Sequence, residues 1–268
     1  MEGKDVLLEQ RYAEGRLDRL PALAVELVHL KVDVIVTGSS AGTRPAKEST
    51  ATIPILMAQD TDPVGNGYVA SLARPGGNIT GLSTLSPELS GKRLEVLKEI
   101  VPKLSSVVVF GTSTQPGSTQ ALRETELAAR AFGLRLQYLD VLSPKDVEPS
   151  FRTAGNTHAG VALVLQSAVF NAQRKQIVDL AIQSRIPMMY YSVDWVEDGG
   201  LMSYGVNFPD MYRRAATYVD KIQKGAKPSD LPVEQPRKFE LVINLKAAKQ
   251  IGVTIPPNVL GRADKVIK

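Results

Sequence analysis

Residues 57–63 read Met-Ala-Gln-Asp-Thr-Asp-Pro and follow the apolar run Ile53-Pro54-Ile55-Leu56. A buried strand that opens at once onto Gln59, Asp60 and Asp62 admits three chemistries. Two carboxylates so close in sequence could hold a hard cation, work as an acid–base pair, or line a cleft and accept a ligand ammonium. Plain solvation of a strand end accounts for the same residues without any function. The metal reading is short of ligands, because no third acidic residue lies nearby and no EF-hand spacing follows.

Three other stretches carry residues of the right type. Gly38-Ser39-Ser40-Ala41-Gly42 matches the nucleophile elbow G-x-S-x-G directly after a strand. The chain has two histidines, His29 and His158. One lies in a helix that feeds the strand. The other precedes a strand, at the end away from its mouth. Neither reaches Ser40 in the expected topology, so the stretch reads as a small-residue turn whose hydroxyls and N–H groups can hold a carboxylate. Gly111 to Thr119 looks like a phosphate loop but lacks Gly-Lys-Ser/Thr, and reads as a strand mouth or a helix cap. Seven of the fifteen aromatics, from Tyr190 to Tyr218, crowd one region; beside hydroxyls they suit a ligand with a flat apolar body and a charged head. Core packing is the competing account, above all for Tyr212 and Tyr218 on a helix.

The elements that must position these residues alternate along the chain. Strands are expected at 6–11, 32–37, 53–57, 79–83, 106–111, 134–140, 160–165, 187–191 and 201–204, and helices at 18–31, 87–101, 170–184 and 210–224. Such alternation predicts parallel sheets covered by helices, an α/β fold. A chain of 268 residues suits one large or two small α/β domains. The net charge of +4 is spread over interleaved pairs such as Lys98-Glu99, which argues against nucleic acid as a partner. Cysteine is absent, so disulfides, thiolate metal sites and cysteine nucleophiles are excluded. No metal and no cofactor is expected.

An internal echo organises the chain. Residues 32–40 (VDVIVTGSS) pair with 160–168 (GVALVLQSA), 53–59 (IPILMAQ) with 186–192 (IPMMYYS), and 76–83 (GGNITGLS) with 199–205 (GGLMSYG), in the same order. The echo predicts two doubly wound parallel-sheet lobes. Ligands of such sheets bind outside the carboxyl ends of the strands, so two facing lobes would put both sets of mouths on one cleft.

Residues 71–104 (SLARPGGNITGLSTLSPELSGKRLEVLKEIVPKL) and 199–267, with the block LPVEQPRKFELVINLK, resemble the tryptophan/tyrosine-type substrate-binding proteins of bacterial ABC transporters over almost the whole chain. The resemblance implies the type I periplasmic-binding fold, with a small solute such as an amino acid or aromatic acid closed between two lobes and read by a membrane permease. It implies a monomer, no catalysis and an extracytoplasmic place. It divides the chain into residues 1–104 plus about 206–230, and 105–205 plus about 231–268, with hinges near 104–106, 203–208 and 230–240.

Carried over, the ligand positions are Thr37, Ser39, Ser40, Gln59, Asp60 and Asp62 in the first lobe. In the second they are Ser113, Thr114, Gln166, Ser167, Phe170, Asp194, Trp195 and Tyr204. Asp60 or Asp62 would receive an ammonium, Ser39, Ser40 and Thr114 a carboxylate, and Trp195, Tyr204 and Phe170 would sandwich the apolar body. The chain departs from the family at Ser167-Ala168-Val169-Phe170, where members often have Asp-Pro-Leu-Phe, and at Val193-Asp194-Trp195, where many have Arg-Glu-Phe. Members also carry a signal peptide, a strand and a helix ahead of the segment equivalent to residues 3–15. The expectation is therefore an incomplete first lobe, through truncation or a misplaced start, lacking its central strand. A hydrolase or isomerase using Ser40 and a cytosolic ligand sensor are the rival readings.

Overall fold

The computed structural model describes residues 6–156 and 160–268; His158 lies outside the described residues. Continuous apolar runs form parallel strands buried on both faces, as such strands require. In the first lobe β1 (Ile35–Thr37), β2 (Ile55–Asp60) and β3 (Ile79–Ser83) make a three-stranded parallel sheet in the order β1-β2-β3. The second lobe holds β4 (Ser106–Gly111), β5 (Arg135–Asp140), β6 (Val161–Val164), β7 (Met188–Tyr190), β8 (Met202–Val206), β9 (Phe239–Asn244) and β10 (Lys265–Ile267). Their order is β10-β9-β8-β7-β6-β4-β5, and only β8 and β9 run antiparallel.

The internal echo holds at the level of the ladder. Ile35, Ile55 and Ile79 stand in one row across the first sheet. Leu163, Met189 and Met202 form the matching row across β6-β7-β8. The ladder shifts the middle block by one residue from the sequence alignment: Ile55 corresponds to Met189, not to Met188. The row continues in the second lobe through Val109 to Tyr138. In the first it stops at β1.

Helices α1 (Leu20–His29) and α2 (Ser40–Ser49) cover one face of the first sheet, where Ala46, Tyr68 and Val69 pack on Ile35, Ile55 and Ile79. The helix α3 (Leu89–Ile100) carries the Leu94, Leu97 and Ile100 stripe. It packs with α4 (Ser118–Ala131) on Val107, Val109 and Leu163 of the second sheet. The opposite face of that sheet is covered by α5 (Val147–Asn156), α6 (Ala168–Ala172), α7 (Arg174–Gln183) and α8 (Val193–Glu197). Helix α9 (Phe208–Gln223) returns to the first lobe and sets Met211, Ala215 and Tyr218 on Leu56 and Ala58. Finally α10 (Leu245–Ile251) and α11 (Pro257–Leu260) close the second lobe.

Three expectations are corrected. Residues 7–13 form no strand; Leu7 is 80% exposed and Tyr12 is 67% exposed, because no strand among the described residues offers them a ladder. The stretch 170–184 is two helices, broken at Gln173. The first crossing between lobes lies at residues 84–88 rather than 104–106, since α3 belongs to the core of the second sheet. The other crossings fall at 206–208 and 234–239, on the chain's way to and from α9 and the edge contact of Glu234 with β3.

Candidate functional site

The carboxyl ends of both sheets point at one another. Thr61, after β2, donates its hydroxyl to the Pro116 carbonyl in the turn after β4, at 3.3 Å. Gln166, after β6, donates to the Gln59 side-chain oxygen at 3.4 Å. Gly117 makes the first of these approaches workable: a Cβ there would sit 2.2 Å from the Thr61 hydroxyl, and its φ of +80° suits glycine. The mouths of the two sheets thus touch one another through Thr61 and Gln166.

In the first lobe most of the expected site residues hold the rim itself. Ser39 caps α2 by accepting the Gly42 N–H at 3.3 Å, which leaves the positive end of that helix at the cleft. Ser40 is buried; its hydroxyl accepts the Thr61 N–H at 3.0 Å. Thr37 is buried against the Thr43 hydroxyl at 2.9 Å. Asp62 accepts the Gly65 N–H at 2.8 Å and closes its own turn. Asp60 is fully buried: Oδ1 accepts from the Asp62 N–H at 3.0 Å and from Asn66 at 3.2 Å, while Oδ2 has no partner. Burial pushes this carboxyl up to about 6, against the downward pull of the polar groups around it, Ser40, the Asp62 N–H and Asn66.

The second lobe separates its candidates more sharply. Thr114 is exposed at the mouth of β4. Its neighbour Ser113 is exposed too and donates backbone and hydroxyl to Asp140, at 2.8 and 2.6 Å. Gln166 is half-buried and reaches Gln59. Ser167 is buried, caps α6 at the Val169 N–H and meets the Thr112 hydroxyl at 2.8 Å. Asp194 is half-buried, 4.0 Å from Arg174, which Asp198 also holds.

The aromatic sandwich is corrected. Trp195 has no exposed surface; its indole stacks on Tyr190 at 4.8 Å and meets the edge of Tyr191 at 5.5 Å. Phe170 belongs to the same buried cluster, and Tyr204 packs its ring against Phe239 at 6.1 Å. Trp195 and Phe170 are core of the second lobe, and Tyr204 is half-buried against the other face of its sheet. Among the described residues no histidine meets Ser40: its hydroxyl contacts Thr61, and His29 ends α1.

Four residues outside the expected set of ligand positions bear on the site. Tyr212, read as core, is 46% exposed; its hydroxyl accepts from Gln59 at 3.0 Å and stands 3.3 Å from where a Gly38 Cβ would be. The Tyr191 hydroxyl donates to Asn171 at 2.7 Å on α6. Thr61 ties the two lobes. Arg93 is 1% exposed, donates Nε to the Tyr204 carbonyl at 2.8 Å and Nη1 to the Ser86 carbonyl at 3.1 Å. It fastens the first crossing to the strand that leads into the second, and burial lowers its pKa to about 10. An arginine inside an apolar helical stripe was the signal that could have found it. Among the described residues no cluster of three metal-ligating side chains occurs, and no helix is long and apolar enough to cross a membrane.

With this geometry in view, residues 1–267 match the family model of the ABC transporter substrate binding protein. The "Tyrosine-binding protein" of Clostridioides difficile (strain R20291) is 23% identical over 251 residues, 93% of this chain and 72% of that protein. An ABC domain from Streptococcus pneumonia solved in complex with L-Trp is 26% identical, superposes with a TM-score of 0.92, and is matched over 98% of this chain and 90% of its own. A conserved domain protein of Vibrio cholerae reaches 30% identity and a TM-score of 0.94, over 99% of this chain and 88% of its own.

Proposed function

The chain belongs to the ABC transporter substrate binding proteins, and on that premise we propose that it captures an amino acid or aromatic acid between its lobes. The family binds substrates for transport and is not a family of enzymes. One observation supports the ligand site most: Gln59 with Tyr212 from the first lobe and Gln166 from the second converge at apposed strand mouths. Ser39 with the N-terminus of α2 would receive a carboxylate, joined by Thr114 from across the cleft. Asp62 and Asp194, both half-buried, are the candidate acceptors for an ammonium. The relatives named for tyrosine and solved with L-Trp favour an aromatic side chain on the ligand.

Closure is a population shift toward the arrangement that gains contacts from both lobes. The three crossings at 84–88, 206–208 and 234–239 are the hinge, and Arg93 ties two of them. The closed form would be read by a permease outside the cytoplasmic membrane. A thermal-shift panel of free amino acids and aromatic carboxylates tests the ligand reading. A ligand at 100 times its Kd adds about 2.7 kcal/mol. Gln166→Ala is expected to weaken the response to that compound while leaving the unliganded melt in place. A panel without any response from the wild-type chain, or a response untouched by Gln166→Ala and Gln59→Ala together, would count against this site.

A further inference from the structure

The chain as a whole is cationic, with a net charge of +4, yet the mouths of its strands are not. Within three residues beyond the carboxyl ends of β1 to β8 there is no lysine and no arginine. Carboxylates prevail there instead. Asp60 ends β2 and Asp62 follows it. Against these two the first lobe sets Arg44 on α2, which bears on the Tyr68 hydroxyl. In the second lobe Arg174 of α7 donates Nε to Asp198 and stands 4.0 Å from Asp194, again one cation against two carboxylates. Where Gly15 approaches Ala172 of α6 the charges cancel, since Glu14 pairs with Arg19 and Arg16 with Asp18. The first crossing adds Glu88. Its carboxyl is pushed up by burial first and then by Asp62 and Glu124, with no cation among the groups that act on it. Acids of the first lobe, the crossing and α4 therefore share one field. At the same mouth Asp60 is fully buried and its Oδ2 has no donor.

We propose that the captured solute carries net positive charge, with more ammonium or guanidinium groups than carboxylates: an amino acid with a basic side chain, or an amine. This rests on capture between the lobes as proposed above and narrows it, because it sets aromatic acids aside. Charges of one sign between low-dielectric walls focus their field on whatever enters. An ammonium placed there gains charge-assisted hydrogen bonds from carboxylates that have no cation of their own. One ligand carboxylate is still accommodated, because Ser39 and the N-terminus of α2 offer a positive end. A carboxylate that brings no cation with it meets Asp62, Glu88 and Asp194 with nothing to offset the repulsion. A neutral zwitterion places its single ammonium and leaves further acids of the mouths unmatched, and a second cationic group on the ligand answers them.

The test is calorimetric titration of the full chain with two sets of compounds matched in shape and differing in charge. One set is L-arginine, L-citrulline and L-glutamate; the other is tyramine, L-tyrosine and 3-(4-hydroxyphenyl)propionate. In at least one set the cation is expected to bind about tenfold or more tightly than the neutral compound, and the anion not at all. That preference should shrink as salt is raised from about 0.01 to 1 M. Asp62→Asn with Asp194→Asn is expected to reduce it to about threefold or less. Asparagine keeps an Oδ1 to accept the Gly65 N–H, so the turn at residue 62 survives the change. A neutral compound that binds as tightly as its cationic partner in both sets, or an anion that binds, would overturn the proposal and leave capture between the lobes standing. A cation preference untouched by the double variant would overturn it as well. Silence from all six compounds would count against the proposal and against capture together.

Discussion

Strands β1 and β6 follow the same course in their lobes, yet Val164 of β6 is 0% exposed and Val36 of β1, its counterpart, is 48% exposed. The difference is not in side-chain character. Both strands read as apolar runs, and both lead to a serine-bearing mouth. What differs is the neighbour on the far side: β4 for β6, a slot for β1. Both sheets are packed on both faces, but the edge of the first is open at Val36, and polar ties among Ser40, Thr61 and Tyr68 hold its mouth. A strand's contribution is thus set by what closes around it rather than by its own sequence.

The contrast predicts unequal mutational costs. Leu163→Ala removes a side chain from the centre of the larger core and is expected to lower stability by about 2–5 kcal/mol in chemical denaturation. A loss below 1 kcal/mol would break the comparison. The next effect is a pH dependence. Asp60 has a folded pKa raised to about 6 from 3.8, so the folded state holds its proton more tightly than the unfolded chain. That contribution is fully present below about pH 4 and is lost as pH rises through about 6. The rise of the carboxyl from 3.8 to about 6 sets the ceiling of this loss at roughly 3 kcal/mol. Melts from pH 4 to 7.5 should show this loss in the wild type and not in Asp60→Asn.

Gly117→Ala strains a left-handed residue and drives a methyl into Thr61, at an expected cost of about 1–3 kcal/mol. Opening the cleft relieves the clash, so ligand affinity should fall by more than stability does, and Thr61→Ala in the same chain should recover part of it. Unchanged affinity in the single variant would mean that the Thr61–Pro116 approach is not part of the ligand-binding form. The smallest effect is expected at Val36→Lys. The side chain faces the slot, and the change should stay within about 0.5 kcal/mol, as at ordinary surface positions. A large loss there would show that the slot is filled in the folded chain.

Much of the second lobe is legible in the sequence. Its expected strands at 106–111, 134–140 and 160–165 match β4, β5 and β6 within a residue, because long apolar runs in a parallel sheet leave little choice. The site is less legible. Trp195 reads as a ligand wall since aromatics near a strand mouth suit one, but Tyr190 and Tyr191 enclose it. Tyr212 reads as core at helical spacing and stands at the rim. The lobe to which α3 belongs does not show in its stripe, which would suit either sheet.

The amino-acid sequence by itself determined the α/β alternation, the echo between the lobes and the family, because periodicity and local motifs act over a few residues. Only the tertiary structure decided the rest. It decided that Asp60 is buried with one oxygen unpaired, that Arg93 binds two crossings, and that β1 ends at a slot. Each depends on residues distant in the chain arriving at one place, and desolvation and sheet pairing take effect only there.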